Sequence, residues 1–325
     1  MSQPSQPSQP RITIVGSVNM DLVFRTPRMP ALGETIQGRE LRQIPGGKGA
    51  NQAVAAARQG ACVSLVGRVG DDGFGTELRA CLAADGIDIG HLAHVPGMAT
   101  GVAGILVDDA GHNSIVIASG ANLALSAADV TAAADAILHA NLLICQLETP
   151  LPSVLRAIEI ARGGGVPVIF NPAPMQPLDA ALLEMVDYLI VNETEAAQLS
   201  GIDVRDATSA RLAATRLLAL GAGAVLLTMG GQGVFVAEVG DSGRMIPAVP
   251  VTVVDTTAAG DTFVGAFAVG LGQGLNVVEA ATAAQYAAAL TVTQLGAQSS
   301  IPSRAQVEKF IADKNMANRS GAHAA

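Results

Sequence analysis

The sequence has no tryptophan, few aromatic residues, few charges and few cysteines. Of its 325 residues, 3% are aromatic and 14% are charged, whereas 50% are hydrophobic. The three cysteines, Cys62, Cys81 and Cys145, are odd in number and show no CxxC spacing. This pattern argues against a disulfide framework and against a zinc ribbon. Scattered cysteines are typical of a reducing compartment, so we expect a cytoplasmic protein.

Basic residues are also scarce. Lysine and arginine number 19 against 28 aspartates and glutamates, which gives a formal net charge of −9. An acidic balance of this size argues against a dedicated nucleic-acid partner or an anionic membrane surface. We therefore expect small-molecule partners, with no nucleic acid and no membrane among them.

The mean hydropathy of +0.40 raises the question of a membrane span. The longest uncharged stretch, residues 217–237, is interrupted by glycines and divides at MGGQG into two short apolar runs. It is typical of two buried strands joined by a turn. The first ten residues repeat Ser-Gln-Pro without an apolar run, so we expect a disordered tail over residues 1–10 in place of a signal peptide. A polar, alanine-rich tail is expected over residues 312–325.

Short apolar runs alternate with helical patterns of ten to fifteen residues along most of the chain. This order predicts an α/β fold with a mostly parallel sheet covered by helices on both faces. Two segments break the alternation: residues 20–44 are rich in Pro, Gly and Thr, and residues 101–120 contain two β runs joined at Asp-Asp-Ala-Gly. Both are expected to form a small accessory sheet.

The sequence contains neither a P-loop nor a dinucleotide-binding fingerprint, and its histidines do not form a clear metal-binding pattern. Lys48 is followed by Gly49, so GGKGAN is not a P-loop, and GAGAVLL precedes a strand where a dinucleotide fingerprint would follow one. His91 and His94 lie three residues apart, but the other histidines are scattered. We therefore interpret this pair as surface residues.

The segment VVDTTAAGDTFVGAF is the strongest local signal. The pattern predicts a strand that ends at Val254, a loop of small residues and a helix that begins near Gly260. Backbone N–H groups at such a helix N-terminus bind phosphate, and Asp261 would lie there as a general base for an attacking hydroxyl. Spacing alone favours an ordinary capping aspartate over a catalytic base.

Further polar residues follow predicted strands. They are Asn19 and Asp21, Glu148, and the group Asn192, Glu193 and Glu195. Each by itself is as typical of a loop or a helix cap, but the carboxyl ends of parallel strands share one crevice. There, Asn19 and Asp21 would suit a polyol, and Glu193 and Glu195 would suit a hydrated Mg²⁺.

Eight motifs then carry a resemblance over residues 11 to about 310. GSVNMD, PGGKGANQA, QLETP, NPAP, VNETEA, TMGGQG, DTTAAGDTF and LGAQSSIP occur in the order and approximate spacing of the ribokinase branch of the PfkB sugar-kinase family. The resemblance implies a three-layer α/β/α domain with a small β-sheet lid. It also implies transfer of the γ-phosphate of ATP to the 5-hydroxyl of D-ribose, giving D-ribose 5-phosphate.

The resemblance assigns roles at the phosphoryl-transfer site. Asp261 would be the base, and the amides of Ala258, Ala259 and Gly260 would form the anion hole. The residues implied to bind ribose are Asn19, Asp21, Gly47, Lys48, Asn51, Glu148 and Asp261. The residues implied to hold ATP and hydrated Mg²⁺ are Asn192, Glu195, Thr228, Gly230, Gly233, Gly260 and Gln285.

The resemblance further implies a monovalent-cation site, occupied by K⁺, beside the anion hole. Its positions here are Asp255, Thr257, Thr291, Gln294, Gly296 and Ser300. The large domain would comprise residues 11–19, 45–98 and 121–311, and the lid residues 20–44 and 99–120. The lid would close over the sugar and pair with the lid of a second subunit, making a homodimer.

Three substrate alternatives and one alternative of another class stay open. The substrate could be 2-deoxyribose, a nucleoside or an acidic sugar such as 2-keto-3-deoxygluconate. A nucleoside would require stacking groups, and the lid offers little besides Phe24; an acidic sugar would suit Arg25, Arg28, Arg39 and Arg42. A non-catalytic sugar-binding regulator would be expected to have a damaged base or anion hole, and the sequence has both intact.

Overall fold

The computed structural model describes residues 9–322, with side chains through residue 316. Most of the predicted N-terminal tail therefore lies outside the described residues. Residues 312–322 of the predicted C-terminal tail continue a helix that begins at Arg304. No helix in the described part of the chain is long and apolar enough to cross a bilayer.

Thirteen strands and eleven α-helices are found in residues 9–322. The strands are β1 Arg11–Val15, β2 Asn19–Thr26, β3 Glu40–Gly46, β4 Cys62–Gly70, β5 Leu92–Val95, β6 Gly101–Asp108, β7 Asn113–Ala118, β8 Leu142–Cys145, β9 Val168–Phe170, β10 Tyr188–Asn192, β11 Ala224–Thr228, β12 Gly233–Glu238 and β13 Arg244–Pro247. The helices are α1 Lys48–Arg58, α2 Gly73–Ala84, α3 Ala127–Ala132, α4 Ala134–Leu138, α5 Leu151–Gly163, α6 Ala180–Leu183, α7 Glu193–Ser200, α8 Ala207–Ala219, α9 Ala259–Gly272, α10 Val277–Thr291 and α11 Arg304–Ala322.

Nine strands form the central sheet in the order β13-β12-β11-β10-β9-β8-β1-β4-β5. The strands from β11 to β5 pair in parallel, and only β12 and β13 run antiparallel. Buried helices cover both faces, with α1, α9 and α10 on one and α5 and α8 on the other. The predicted α/β fold with a mostly parallel sheet is confirmed.

The high hydropathy of the chain is explained by the helices. Alanines fill the buried faces of α1 and α10, including Ala53, Ala56, Ala280 and Ala284. Small side chains let these helices approach the sheet and one another closely, and their burial keeps the apolar surface away from water. The hydrophobic composition therefore belongs to a packed interior.

A second, four-stranded sheet with the order β3-β2-β6-β7 projects from the first. The chain enters it directly after β1, through Gly16, Ser17 and Val18. The chain enters the small sheet a second time at the start of β6. There, the Asp72 carboxylate accepts hydrogen bonds from the backbone N–H of Gly75 (2.8 Å) and of Thr100 (2.8 Å). Asp72 thereby caps α2 and fixes the start of β6. The predicted small accessory sheet is present.

Several elements differ from the prediction. Asn19, expected in the polar loop after β1, begins β2, and Asp21 lies on the same strand, within the accessory sheet predicted for residues 20–44. The pair His91 and His94 flanks and enters β5, where His94 Nδ1 lies 2.9 Å from the carbonyl oxygen of Gly70. Within residues 9–322, no group of three His, Cys, Asp or Glu side chains is placed to hold a metal. Short β5 and β13 escaped prediction because their few residues carry no clear alternation.

Candidate active site

A cavity of about 220 Å³ lies at the carboxyl ends of β9, β10 and β11, facing the N-termini of α1 and α9. It lies at the edge of the sheet where α/β proteins bind ligands. Part of the predicted set lines it: Lys48, Asn192, Glu195, Thr228, Ala258, Gly260 and Asp261.

The backbone at the start of α9 has an unusual conformation. Ala258 precedes the helix with φ 60°, and it is the only non-glycine residue with positive φ in the described chain. Left-handed backbone costs a non-glycine residue free energy and is concentrated at functional sites. Ala258 and Gly260 line the cavity at this helix N-terminus, a position that favours an anion. The N–H of Ala259 donates to the carbonyl of Thr256 at 3.2 Å.

Asp261 lies in the first turn of α9 and is 8% exposed. Its Oδ2 accepts a hydrogen bond from Asn51 Nδ2 at 2.9 Å, and its Oδ1 accepts one from Gln52 Nε2 at 3.0 Å. An ordinary capping aspartate accepts N–H groups of its own helix. Asp261 is instead held by two side chains of α1, which leaves it at the cavity wall as a fixed carboxylate.

Carboxylates surround the sugar side of the site. Asp21 is buried on β2, and its pKa is raised to about 7 because of burial first and then the charges of Glu148 and Asp261. Lys48 is half-buried between Asp261, Glu148 and Glu195. Burial opposes its charge, but the three carboxylates more than offset this and raise the pKa of Lys48. The Lys48 ammonium therefore stays charged, between the residues predicted to bind the sugar and those predicted to bind the phosphates.

Glu148 holds the N-terminus of α1. Its Oε2 accepts hydrogen bonds from Ser17 Oγ at 2.5 Å and from the backbone N–H of Lys48 at 3.1 Å. Gly47 precedes the helix with φ 88°, and a Cβ there would lie 2.7 Å from the backbone nitrogen of Asn19. The glycine-rich motif is therefore a helix start, packed against the backbone that carries Asn19.

Asn19 is oriented by a residue outside the predicted set. Its Oδ1 accepts a hydrogen bond from Asn122 Nδ2 at 2.7 Å, and Asn122 Oδ1 accepts one from the backbone N–H of Val18 at 2.9 Å. Asn122 is 104 residues away from Val18 in the chain. No local pattern in the sequence marks Asn122, because its partners come from a distant strand.

On the phosphate side, the ends of β10 and β11 bring two polar residues together. Asn192 pairs with Thr228 in the parallel register, and both line the cavity. Asn192 and Glu195 form a capping box on α7, with hydrogen bonds of 2.8 and 2.9 Å. Burial raises the pKa of Glu195, against its bond from Asn192 and the charge of Lys48.

Three predicted nucleotide residues lie outside this cavity. Gly230 and Gly233 flank the short turn between β11 and β12, and a Cβ on Gly233 would lie 2.6 Å from the backbone nitrogen of Ala248. Gln285 Nε2 donates to the carbonyl oxygens of Ile246 at 3.0 Å and Pro247 at 3.3 Å. Gln285 therefore secures the end of β13 to α10.

The predicted cation residues come from two segments that meet beside α9. Asp255 Oδ1 accepts hydrogen bonds from the N–H (2.9 Å) and the Oγ1 (2.6 Å) of Thr257. Its Oδ2 accepts one from the N–H of Gly296 at 2.9 Å. The buried hydroxyl of Thr291 bonds to the carbonyl of Ala287 at 3.0 Å and to Thr262 Oγ1 on α9 at 3.1 Å, and that of Ser300 bonds to the carbonyl of Ala297 at 2.7 Å. The N–H of Gln294 donates to the carbonyl of Thr291 at 3.1 Å.

Fold and site together define the protein as a kinase of small hydroxylated molecules. Residues 9–304 match the family model described as pfkB family carbohydrate kinase. The chain belongs to the pfkB family of carbohydrate kinases.

Individual relatives agree with this membership. The chain is 44% identical over 300 residues to the ribokinase of Haemophilus influenzae, covering 92% of this chain and 98% of that one. It is 38% identical over 301 residues to the deoxyribokinase of Salmonella typhi, with coverage of 92% and 98%. The solved structure of Arabidopsis thaliana ribokinase complexed with ribose and ATP matches with a TM-score of 0.86 and 33% identity, covering 93% of this chain and 98% of that one.

Proposed function

We propose that this protein is an ATP-dependent ribokinase that phosphorylates the 5-hydroxyl of D-ribose. The observation that carries the proposal is the position of Asp261, a buried carboxylate held by Asn51 and Gln52 at the N-terminus of α9 and on the cavity wall. The similarity to ribokinases over more than nine-tenths of the chain supports ribose as the sugar and ATP as the donor.

Asp261 accepts the proton of the attacking hydroxyl, which raises the nucleophilicity of that oxygen. The N–H groups at the start of α9, next to Ala258 and Gly260, stabilise the charge on the transferred phosphoryl group. The remaining hydroxyls are held by the buried residues Asp21, Asn19 and Asn51 and by the half-buried Glu148, because carboxylates and amides that converge on a polar site suit a polyol.

The nucleotide phosphates would lie between Lys48 and the ends of β10 and β11. A net charge of −9 on the chain means that ATP must be attracted locally, through helix N–H groups, the Lys48 ammonium and cations. Asn192 and Glu195 present oxygen atoms on this wall and fit a hydrated Mg²⁺. The ion would neutralise phosphate charge.

The segments 255–257 and 291–300 fit a K⁺ ion. The donors available are carboxylate, hydroxyl and carbonyl oxygens, the ligands that hard cations prefer. Gly296 has φ 96°, and a side chain there would overlap Ser299 Oγ, so the chain is curled tightly at this point. A cation in this curl would hold the loop that precedes the anion hole.

The arginines of the small sheet do not favour an acidic sugar. Arg28 donates to Glu34 at 2.6 Å, Arg39 to Asp109 at 2.6 Å and Arg42 to Glu40 at 2.7 Å. All three are exposed, as is Arg25, and none lines the cavity. Cations paired on the outer surface are poorly placed to recognise a substrate carboxylate.

The small sheet is the lid in this proposal, and it supports a homodimer. Strand β7 is exposed along its whole length, with Ile115, Val116 and Ile117 at 52%, 71% and 47% exposure. An apolar strand at a sheet edge is usually covered by another chain. Sedimentation velocity at micromolar concentration would give a dimer for the natural chain and a monomer for Val116→Lys. A natural chain that sediments as a monomer would remove the homodimer from the proposal.

The free cysteines Cys62, Cys81 and Cys145 support a reducing, cytoplasmic location. The substrate is tested with a panel of D-ribose, 2-deoxyribose, a nucleoside and 2-keto-3-deoxygluconate, each with ATP, Mg²⁺ and either K⁺ or Na⁺. We expect kcat/KM to be highest for ribose with K⁺. A comparable kcat/KM for 2-deoxyribose would contradict the assignment of ribose, and ribose binding without turnover would favour the regulator.

A further inference from the structure

Behind the base lies a chain of buried amides. Gln52 and Gln146 are both 0% exposed. Gln146 Nε2 donates to Gln52 Oε1 at 2.5 Å, and Gln52 Nε2 donates to Asp261 Oδ1 at 3.0 Å and to Asn171 Oδ1 at 3.3 Å. The chain thus runs from the end of β8 through α1 to the carboxylate of α9.

The direction of the Gln52 amide is fixed by its neighbours. Asn171 Nδ2 donates to the carbonyl of Ile190 at 3.0 Å, so Asn171 must turn its oxygen toward Gln52. Asp261 accepts only, when ionised. With two acceptors on one side, the NH₂ group of Gln52 has to face them, and its oxygen has to face the NH₂ group of Gln146.

The backbone brings these groups within reach. Helices α1 and α9 touch at Gly265, where a Cβ would lie 2.6 Å from Ala55 Cβ and 2.7 Å from the carbonyl oxygen of Gln52. Because the two helices touch at this point, the side chain of Gln52 reaches Asp261, which lies one turn before Gly265 on α9. The base is therefore held on Oδ1 by a residue buried away from the cavity and on Oδ2 by Asn51.

We propose that Gln52, oriented by Gln146 and Asn171, is a positioning residue for the phosphoryl-transfer reaction. It fixes the carboxylate plane of Asp261 so that the base meets the attacking hydroxyl in one orientation. The inference rests on the proposed function. It predicts that losing Gln52 lowers kcat and leaves the affinity for sugar and ATP nearly unchanged, because Gln52 contacts neither.

The test compares three variants of the full chain. Gln52→Leu removes the donor to Asp261. Gln146→Met keeps the approximate size of residue 146 and adds no charge, but it removes the donor to Gln52 Oε1, so the Gln52 amide loses the partner that fixes its direction. Gln59→Leu is the matched control, since Gln59 is also buried, caps the C-terminus of α1 at the end away from Asp261, and donates to the carbonyl of Pro302 at 2.9 Å.

We expect Gln52→Leu to lower kcat about ten- to a hundredfold, as is typical of a lost hydrogen bond to a charged group. Gln146→Met should also lower kcat, with KM for both substrates within about threefold of the natural value. Gln59→Leu should keep kcat within about twofold while its melting temperature falls as much as that of Gln52→Leu. If Gln52→Leu does not fold, Gln146→Met decides.

A kcat within twofold of the natural value in both variants would overturn the inference. So would a loss carried by KM, or an equal loss of kcat in Gln59→Leu. The variants are assayed with whichever sugar of the panel the natural chain phosphorylates fastest. A preference for another sugar would therefore refute ribose and still test Gln52, whereas a natural chain that phosphorylates no sugar would overturn both.

Discussion

The carboxylate of Asp21 rests directly on the backbone of Gly46, at the point where β2 and β3 leave the central domain. A Cβ on Gly46 would lie 2.6 Å from Asp21 Cγ, closer than any side chain tolerates. The absence of a side chain at Gly46 therefore sets where the Asp21 carboxylate lies. Because Asp21 is proposed to hold the sugar, a backbone position on β3 controls the shape of the sugar site.

Gly46→Ala should weaken sugar binding. The added methyl group pushes Asp21 out of its place or separates β2 from β3, and we expect KM for ribose to rise by about tenfold or more, in line with the loss of one hydrogen bond to a charged group. Steady-state kinetics with saturating ATP measure this. Gly104→Ala on β6 is the control, because its nearest neighbour would be the carbonyl oxygen of Val116 at 3.8 Å. Equal effects of the two substitutions would contradict the argument.

Asp261→Asn should abolish most turnover. An amide of nearly the same shape cannot accept the proton of the hydroxyl, and loss of a general base costs about 10²- to 10⁴-fold in kcat. Isothermal titration of ribose and of ATP should show binding within a few-fold of the natural chain. Turnover above a few per cent of the natural value would contradict the assignment of Asp261 as the base.

Sugar binding should depend on pH through Asp21. Its pKa is raised to about 7 by burial and by the neighbouring charges of Glu148 and Asp261. A carboxylate accepts more hydrogen bonds from hydroxyls than a carboxylic acid does, so ribose affinity should rise as pH increases through about 7. Titration calorimetry without nucleotide between pH 5.5 and 8.5 measures this. Asp21→Asn should flatten the dependence, and an unchanged profile in that variant would assign the titration to another group.

The raised pKa of Asp21 also makes the stability of the folded chain depend on pH. The pKa of Asp21 is higher in the folded chain than its ordinary value of 3.8, so the folded chain binds more protons between about pH 4 and 7. Its contribution to the free energy of unfolding therefore falls as pH rises through that window and is lowest above it. Relative to the natural chain, Asp21→Asn should gain stability between pH 5 and pH 8, as measured by urea unfolding. A constant difference across this range would contradict the raised pKa.

Asp72→Ala should loosen the small sheet and destabilise α2. The carboxylate accepts hydrogen bonds from Gly75 N and from both N and Oγ1 of Thr100. Loss of a helix cap of this kind costs about 1–2 kcal/mol. Thermal unfolding would show the lower stability, and hydrogen exchange would show faster exchange in β6 than in β10. Uniform exchange across the two strands would argue against a role at the entry to the small sheet.

Asp255→Ala should remove activation by K⁺. Asp255 joins Thr257 to Gly296, and without it the two segments proposed to hold the cation are no longer tied together. We expect kcat of the natural chain to rise with KCl at constant ionic strength, and kcat of the variant to stay low and flat. Arg304→Ala, which breaks an exposed ion pair with Glu308, is a control for surface charge. A natural chain indifferent to K⁺ would remove the cation site.

The course of the main chain was largely predictable. Alternating apolar runs and helical patterns predict the parallel sheet because hydrophobic spacing is a local property, readable within about ten residues. DTTAAGDTF predicts the turn before α9 for the same reason, since small residues and an acidic first turn act locally. Short β5 and β13 were missed because their pairing depends on neighbours that are distant in sequence.

The site was only partly predictable. The sequence predicts Asp261 as a base or a helix cap. In the structure its carboxylate is held by Asn51 and Gln52 of α1 and not by its own helix. Asn51 and Asp261 are 210 residues apart in the chain, so no spacing rule connects them. Gln52 and Gln146 lie within the motifs PGGKGANQA and QLETP, and Asn122 lies in no motif. The sequence assigns a role to none of the three, because a buried amide differs from an exposed one only through its surroundings.

Motifs and short hydrophobic periods in the sequence are enough to predict the family, the α/β order and the chemical types of the functional residues, because each is a local property of the chain. Only the folded structure shows which oxygen of Asp261 each amide holds, why Gly46 must lack a side chain, and that burial beside Glu148 and Asp261 raises the pKa of Asp21. The physical reason is that hydrogen bonds, burial and charge coupling depend on distance in space, which the chain sets only when it is folded.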